Sequence, residues 1–252
     1  NGDFHWFDVD DAAFLDINAR VLRHDALLGN VEAELLTERE DAGCGCAYPD
    51  TVDADTVERS NRIHAQLKAT ARRYPEALDA LRELPMFACY RVGDARVGVV
   101  HGDAEALAGW RFDVAALDDP ANQAWLSAAF AQAQVDIFAS THTCLPALRR
   151  FDHGNGVGWV INNGAAGMPN FTDTRFGVIT RISLLPSPHP RLYGGTIRGV
   201  YLDALAVQFD TRGWEQEFLT QWPPTSPAYS SYFRRIVHGP DYAIEQARGY
   251  GG

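Results

Sequence analysis

Two short stretches of this sequence decide the fold: VGVVHGD at residues 97–103 and DIFASTHTC at residues 136–144. Each is an apolar run, typical of a buried strand, that leads into a histidine, His101 or His142. In open α/β sheets, ligands bind at the carboxyl edge, where such strands end. Imidazole is a ligand of borderline divalent ions such as manganese, iron and zinc. The two stretches therefore predict an α/β fold with a metal site at the strand ends.

Two further stretches place metal-ligating side chains in glycine-containing turns near the start of the chain. Asp3 follows Gly2, and Asn30 follows Gly29. Carboxylate and amide oxygens suit the same ions as imidazole. Gly-Asp and Gly-Asn are common turn dipeptides, and asparagine tolerates a left-handed backbone, so each has a plain turn reading when taken alone. Together with the two histidines, these stretches predict a metal centre.

In their order and spacing, the four stretches resemble the motifs of the calcineurin-like metallophosphoesterases: D-x-H, G-D, G-N-H-[DE], a histidine after a strand, and G-H-x-H. The resemblance covers most of the chain. Asp3 stands at the family's metal-bridging aspartate and Asn30 at the asparagine of the third motif. His101 matches the isolated histidine, and His142 matches the first histidine of the last motif. The resemblance implies that these four residues hold metal.

A fifth stretch, VINNGAAGMP at residues 160–169, resembles the family's strand and N-P-G-S-x-G-x-P loop. The resemblance implies that Asn163 and Gly164 help to shape a phosphate pocket. It also implies an α/β sandwich of two mixed β-sheets flanked by helices, with the N-terminal strand missing from this chain. The implied activity is hydrolysis of a small phosphate ester, a monoester or a diester, by metal-activated water.

Three departures from the family pattern bear on activity. The chain opens at Asn1 without methionine, so the D-x-H motif is expected upstream in a longer protein. Val31 stands where the family carries the histidine that stabilises or protonates the leaving oxygen, and valine can do neither. Cys144 replaces the second histidine of the last motif. A thiolate is a competent ligand, particularly for zinc, although a cysteine can also be a small buried hydrophobe.

The resemblance also implies how many metal ions are bound. One position keeps four ligands, namely Asp3, Asn30, His101 and His142, while the other keeps Asp3 and, as a candidate, Cys144. An upstream D-x-H would complete the second position. Two ions of manganese, iron or zinc, roughly 3.5–4 Å apart, would then clamp the phosphoryl oxygens.

Because valine cannot protonate the leaving oxygen, another residue is needed as the acid. The candidates are His5 and Glu32, which lie next to motif positions. His5 could equally pack in an aromatic cluster, and Glu32 could be a helix-start carboxylate at the positive end of a helix dipole. Alternatively, the leaving group is acidic enough to depart unprotonated.

Two other functions compete with the phosphoesterase prediction. A catalytically impaired relative would keep the fold and one metal site and serve as a binding or assembly module, which Val31 and the absent first motif favour. A third alternative, a Cys144 nucleophile with His142 as its base, is the weaker one.

The Cys44-Gly45-Cys46 stretch fits neither common cysteine motif. Zinc sites favour C-x₂₋₄-C and redox dithiols favour C-x-x-C. The spacing therefore predicts a turn-rich loop with small cysteines, which could overhang the site and shape the substrate pocket. Four cysteines without a regular framework favour a reducing compartment over a disulfide scaffold.

Composition limits the remaining possibilities. With 252 residues, 46% of them hydrophobic, the chain can form one domain, with a core of about 1–210 and an extension over 211–252. A net charge of −11 disfavours nonspecific nucleic-acid binding, which relies on lysine and arginine. No apolar run approaches the roughly 20 residues that cross a bilayer, so a soluble, by default cytoplasmic, protein is expected. The expected partners are a small phosphate-ester substrate and further copies of the same chain in a homo-oligomer.

Periodicity and turn residues predict the elements that position these motifs. Helices are predicted at residues 9–24, 51–74, 76–83, 121–134 and 229–237, and strands at 86–91, before His101, before His142, and at 158–162, 177–184 and 200–209.

Overall fold

The computed structural model describes residues 1–38, 43–154 and 156–249. The helices are α1 (Asp11–Val21), α2 (Asn30–Leu35), α3 (Ala54–Ala71), α4 (Pro75–Arg82), α5 (Val114–Asp118), α6 (Gln123–Ala133), α7 (Thr211–Gln221), α8 (Pro227–His238) and α9 (Ile244–Arg248), with a 3-10 turn at Pro120–Asn122. The strands are β1 (Phe87–Val92), β2 (Ala95–Val100), β3 (Ile137–Ser140), β4 (Pro146–His153), β5 (Gly156–Asn163), β6 (Gly177–Ser183), β7 (Arg191–Ile197) and β8 (Val200–Val207).

The chain forms two compact units. Unit 1 comprises residues 1–86 and 210–234, and unit 2 comprises residues 87–209 together with the segment from residue 235 onwards. All eight strands found in the described residues lie in unit 2. The single domain expected from chain length stays a prediction.

A five-stranded mixed sheet forms the centre of unit 2. Its strand order is β1-β2-β3-β5-β4, in which β2, β3 and β5 run parallel and the two edge strands run antiparallel to their neighbours. The connection from β2 to β3 passes through α5 and α6, as a parallel pair requires. The carboxyl ends of β2, β3 and β5 therefore meet at one edge of the sheet.

Successive residues of the central strands pack on opposite faces of this sheet. Ile137 and Ala139 join a buried cluster that includes side chains of the second sheet, whereas Phe138 joins a cluster with residues of α5 and α6. Ile161 and Val160 of β5 divide in the same way. Alternation with a period of two residues thus places helices on one face and the second sheet on the other.

The second sheet has three antiparallel strands in the order β6-β8-β7. Val178, Tyr193 and Leu202 contribute one side chain from each strand to the cluster shared with the first sheet. Gly195 lies against β5, because a Cβ there would come within 2.6 Å of the Trp159 ring. The predicted sandwich of two sheets flanked by helices is confirmed; the first sheet is mixed and the second is antiparallel.

Unit 1 is helical. Helices α1, α2, α3 and α4 form one buried hydrophobic cluster, which includes Phe14, Val31, Leu35, Leu67 and Leu81. The helix starts carry the expected signals: the Asp10 and Asp53 carboxylates accept hydrogen bonds from the first turns of α1 and α3, and Pro75 opens α4.

Several elements differ from the sequence prediction. Strands β4 and β7 and helix α7 fall in segments for which no regular structure was predicted. Phe218 and Trp222, in the predicted C-terminal extension, are fully buried. The predicted helix at residues 229–237 is confirmed as α8. Across the described parts of the chain, none of the helices has the length and apolar character needed to cross a bilayer.

The prediction for the cysteine loop is wrong in one respect. The sulfurs of Cys44 and Cys46 are joined in a disulfide bond, and both residues are buried. The spacing rule for redox dithiols did not cover a pair separated by one glycine. Gly45 allows this tight loop to form, because its φ is +68°, a backbone conformation that glycine adopts without strain.

Candidate functional site

His101 and His142 lie side by side at the carboxyl edge of the first sheet. His101 directly follows β2, and His142 comes two residues after β3, its parallel neighbour. Both side chains are buried, with His101 1% and His142 6% exposed. The Nδ1 atom of His142 is 3.2 Å from the Nε2 atom of His101. The structure therefore brings together the two imidazoles that the strand-end pattern predicts.

The spacing of these two nitrogens fits a shared divalent ion. Ligand nitrogens about 2.0–2.1 Å from one zinc ion lie about 2.9–3.4 Å apart at octahedral to tetrahedral angles, and the observed 3.2 Å lies within that range. The same distance also permits a hydrogen bond between two neutral imidazoles, one donating and one accepting. Two buried imidazole nitrogens that face each other are a suitable donor pair for manganese, iron or zinc.

Backbone contacts hold the His142 turn onto His101. The amides of Thr141 and His142 both donate to the His101 carbonyl, at 3.1 and 3.0 Å. The Thr141 hydroxyl donates to the Gly164 carbonyl at 2.7 Å. The turn is thereby fastened to the ends of two different strands, β2 and β5.

Asn162, at the end of β5, adds a third fastening. It is 1% exposed, its Nδ2 donates to the Thr143 hydroxyl at 2.9 Å, and its Oδ1 accepts from the Gly164 amide at 2.8 Å. A buried amide with both ends hydrogen-bonded has one stable orientation. Asn162 therefore fixes the turn that carries His142, a role that the sequence prediction gave to no residue.

Cys144 ends the same turn. Its φ is +61°, and its thiol donates to the His142 carbonyl at 3.3 Å. Its own carbonyl accepts from Nη2 of Arg235 at 2.7 Å. The metal-ligand role of Cys144 stays a prediction, and the thiol contact described here is to the His142 backbone.

The predicted phosphate-pocket residues, Asn163 and Gly164, follow Asn162. Nδ2 of Asn163 donates to the Val178 carbonyl at 3.1 Å. Gly164 has a φ of +66°, and a Cβ there would overlap the Asn170 side chain. Asn170 is fully buried and holds the following loop by accepting from the Ala165 amide at 2.8 Å. Substrate binding by Asn163 and Gly164 stays a prediction.

Trp110 is a neighbour of His142 that the sequence prediction missed. Its ring lies 5.2 Å from the imidazole, edge to face at 73°. Trp110 follows the His101-Gly102-Asp103 stretch by only seven residues, and the glycine before it, Gly109, was the available signal. Trp110 as a residue is partly buried.

In unit 1, Glu32 fastens the segment that carries Asp3. Glu32 is fully buried, and its carboxyl oxygens accept from the backbone amides of Asp3 at 2.7 Å, Gly29 at 3.1 Å and His5 at 3.2 Å. The Asp3 carboxylate in turn accepts from the Val31 amide at 2.9 Å. These contacts give Glu32 a positioning role, while its predicted catalytic role stays a prediction.

Asn30 opens α2, and its side-chain orientation is set by the disulfide loop. Its Nδ2 donates to the Cys44 carbonyl at 2.9 Å and lies 3.6 Å from Cys46 Sγ. Because the amide nitrogen serves these contacts, Oδ1 is the atom suited to a metal ion. Within unit 1, the Asp3 carboxylate thus contacts the start of α2, the helix that Asn30 opens.

His5, the other candidate acid, is packed inside unit 1. It is fully buried and stacks on Phe14 at 4.3 Å. Its ring nitrogens lie 3.1 Å from Asp8 Oδ2 and 3.3 Å from Asn18 Oδ1. These contacts match the alternative of a packed aromatic-cluster residue, and a catalytic role for His5 stays a prediction.

Val31 and His64 complete the surroundings of α2. The Val31 side chain is 1% exposed and belongs to the core of unit 1. His64 on α3 is fully buried, and its Nε2 lies 3.1 Å from the Val31 carbonyl oxygen. Burial is the main reason that the pKa of His64 is lowered from its ordinary value. An imidazole therefore lies beside the backbone of residue 31, on a neighbouring helix.

Comparison with solved structures identifies the fold. A hypothetical protein from Pyrococcus horikoshii OT3 superposes with a TM-score of 0.56 at 13% identity, covering 91% of this chain and 81% of that one. A metallophosphoesterase from Sphaerobacter thermophilus superposes with a TM-score of 0.55 at 14% identity, covering 95% and 87%. No protein-family model matches the sequence, and no curated protein does either. With its two packed sheets and flanking helices, the chain has the fold of the calcineurin-like metallophosphoesterases.

Proposed function

We propose that this protein is a metal-dependent phosphoesterase that hydrolyses a small phosphate ester. The observation that carries the proposal is the pair of buried imidazoles, His101 and His142, whose facing nitrogens are 3.2 Å apart at the carboxyl edge of the sheet. The edge where parallel strands end is where α/β folds bind ligands. The fold shared with a metallophosphoesterase supports the same activity.

The ligand residues proposed from the motifs are Asp3, Asn30, His101 and His142, with Cys144 as a further candidate. A bound divalent ion would polarise a phosphoryl oxygen and lower the pKa of water. The two imidazoles serve as neutral donors, and their orientation is fixed by the hydrogen bonds of the Thr141–Cys144 turn. Glu32 keeps the Asp3 backbone in place from within unit 1. Manganese, iron and zinc all suit this donor set.

A binding or assembly module with one metal is the second candidate. The observation that favours it is Val31, which is packed in the core of unit 1 at the position of the family's leaving-group histidine. A phosphoesterase that lacks this histidine needs no replacement acid when the ester has an acidic leaving group. Both candidate functions predict bound metal, but only the phosphoesterase predicts turnover of an ester.

The test combines metal content with hydrolysis. Wild-type protein, His142→Ala and the control His189→Ala, which changes an exposed loop histidine, are loaded with manganese and assayed on p-nitrophenyl phosphate and bis-p-nitrophenyl phosphate. We expect bound metal and turnover in the wild type and in the control, and loss of both in His142→Ala. Bound metal without turnover of either ester would favour the binding module. Absence of metal from the loaded wild type would refute the ligand assignment.

A further inference from the structure

The loop after β2 is built around a buried aspartate. Asp103 is 6% exposed, and its Oδ1 accepts from the amides of Glu105 and Ala106, each at 3.0 Å. Its Oδ2 accepts from the Arg111 amide at 3.2 Å. One carboxyl group thus ties the start of the loop to its end. A buried group with these bonds holds the loop in one conformation, because breaking them would leave buried donors without acceptors.

Two glycines allow the loop to close this tightly. A Cβ on Gly109 would overlap the Asp103 carboxylate, and a Cβ on Gly102 would overlap the Leu107 carbonyl. Phe112, two residues after Trp110, is fully buried in the cluster formed with α6. Trp110 therefore lies between two fixed points, the Asp103 bonds on one side and the Phe112 anchor on the other.

This rigid loop presents the Trp110 indole beside His142. The two rings are 5.2 Å apart in an edge-to-face arrangement, and Trp110 is only partly buried. Indole and imidazole at this distance hold each other's orientation. A flat, largely apolar ring therefore lies beside one of the proposed metal ligands.

We propose that Trp110 determines substrate specificity, by stacking with an aromatic or heteroaromatic ring in the organic group of the phosphate ester. The proposal rests on the proposed function, because the phosphate is held by the metal centre to which His142 belongs. It assigns the substrate class as phosphate esters with a flat ring close to the phosphate. Aromatic stacking favours such esters over alkyl esters by an amount that depends on the ring and not on the shared phosphate group.

A purely structural role for Trp110 makes a different prediction. If the indole only orients His142, its removal weakens all phosphate ligands alike. If the indole also contacts the organic group, its removal weakens aromatic ligands selectively. Ligand selectivity, and not overall activity, therefore distinguishes the two roles.

Phenylphosphonate and methylphosphonate are suitable probes, because both carry the anionic group and neither is hydrolysed. Their affinities are measured by calorimetry on manganese-loaded wild type, Trp110→Leu and Trp110→Phe. We expect the wild type to prefer phenylphosphonate, and Trp110→Leu to lose about three- to tenfold in affinity for phenylphosphonate with little change for methylphosphonate. Trp110→Phe should keep most of the preference, because it keeps a ring at this position. The methylphosphonate affinity also reports whether each variant is folded.

Two outcomes overturn the inference, and they are distinguishable. Equal binding of both phosphonates by the wild type, or an equal loss for both in Trp110→Leu, would leave the phosphoesterase proposal standing and refute the specificity role. Failure of the metal-loaded wild type to bind either phosphonate would refute the proposed function, and the specificity role with it.

Discussion

Glu32 offers the sharpest test of how the Asp3 segment is held. Its carboxyl group is fully buried and accepts from three backbone amides, two of them at Oε2 and one at Oε1. In Glu32→Gln, one oxygen becomes an NH₂ group that faces a backbone donor, and the remaining bonds lose their charge. An unsatisfied buried donor costs about 1–3 kcal/mol, and a charged bond contributes about 1 kcal/mol more than a neutral one. With one donor left unsatisfied and two remaining bonds weakened, we expect Glu32→Gln to lower the free energy of unfolding by about 3–5 kcal/mol.

Urea unfolding measures this loss directly. With a slope of about 2–3 kcal/mol per molar urea, the midpoint should fall by about 1–2.5 M. The control is Glu76→Gln, which also changes a first-turn glutamate, but at an exposed position on α4; surface changes of this kind usually stay within about 0.5 kcal/mol. Equal midpoints for the two variants would refute the argument that Glu32 fastens the N-terminal segment.

Three further predictions concern contacts within one unit or the other. Arg235→Ala should lower kcat/KM on p-nitrophenyl phosphate about 10- to 100-fold, the range for residues that orient a metal ligand, because Arg235 holds the turn that carries His142; Arg235→Lys should recover part of the loss, and equal rates in all three proteins would contradict this role. Because burial lowers the pKa of His64 below 6.5, the unfolded chain takes up a proton first, so wild-type stability should decline as the pH falls below about 6.5. In urea titrations at about pH 7.5 and 5.5, His64→Gln should lose less stability than the wild type, and parallel losses would argue against this residue as the cause. Because Cys44 and Cys46 form a disulfide, DTNB should detect two of the four thiols in unfolded, unreduced protein and all four after reduction; four before reduction would disprove the pairing.

The strands that carry the histidines could be predicted because their signals are local. All four residues of β3 are buried, and a fully buried strand appears in sequence as a short apolar run bounded by polar residues. Strand β2 is less completely buried, with Arg96 exposed, but a hairpin turn at Gly93 and the histidine mark its two ends. The positions of both strands are thus visible from residues that are neighbours in the sequence.

Strands β4 and β7 could not be predicted in this way. β4 contains Arg149, a charged residue that is buried because Asp118 and the carbonyls of residues 246 and 247 receive its guanidinium. β7 contains two adjacent glycines, one of which is required by the Trp159 ring. Both strands therefore contain residues that disfavour a strand locally, and contacts with distant parts of the chain explain why those residues are there.

The candidate site also contains residues that could be predicted from the sequence and residues that could not. The order of the motifs predicted His101 and His142, and the ends of the parallel strands β2 and β3 bring them together. Arg235 and Asn162 escaped prediction, because their roles lie in hydrogen bonds to a turn that is 91 and 19 residues away in sequence. No local pattern of apolar and polar residues encodes such a pairing.

The close fit of Gly109 against Asp103 has a consequence for recognising related chains. Position 109 can hold only glycine while position 103 keeps its carboxylate, because any Cβ would occupy the space of that group. The two residues are therefore expected to be inherited together, and an aromatic residue next to the glycine would mark the chains that inherited the indole surface. Histidine-glycine-aspartate followed, after five residues, by glycine-tryptophan is thus a short signature that could separate this substrate preference from others on the same fold.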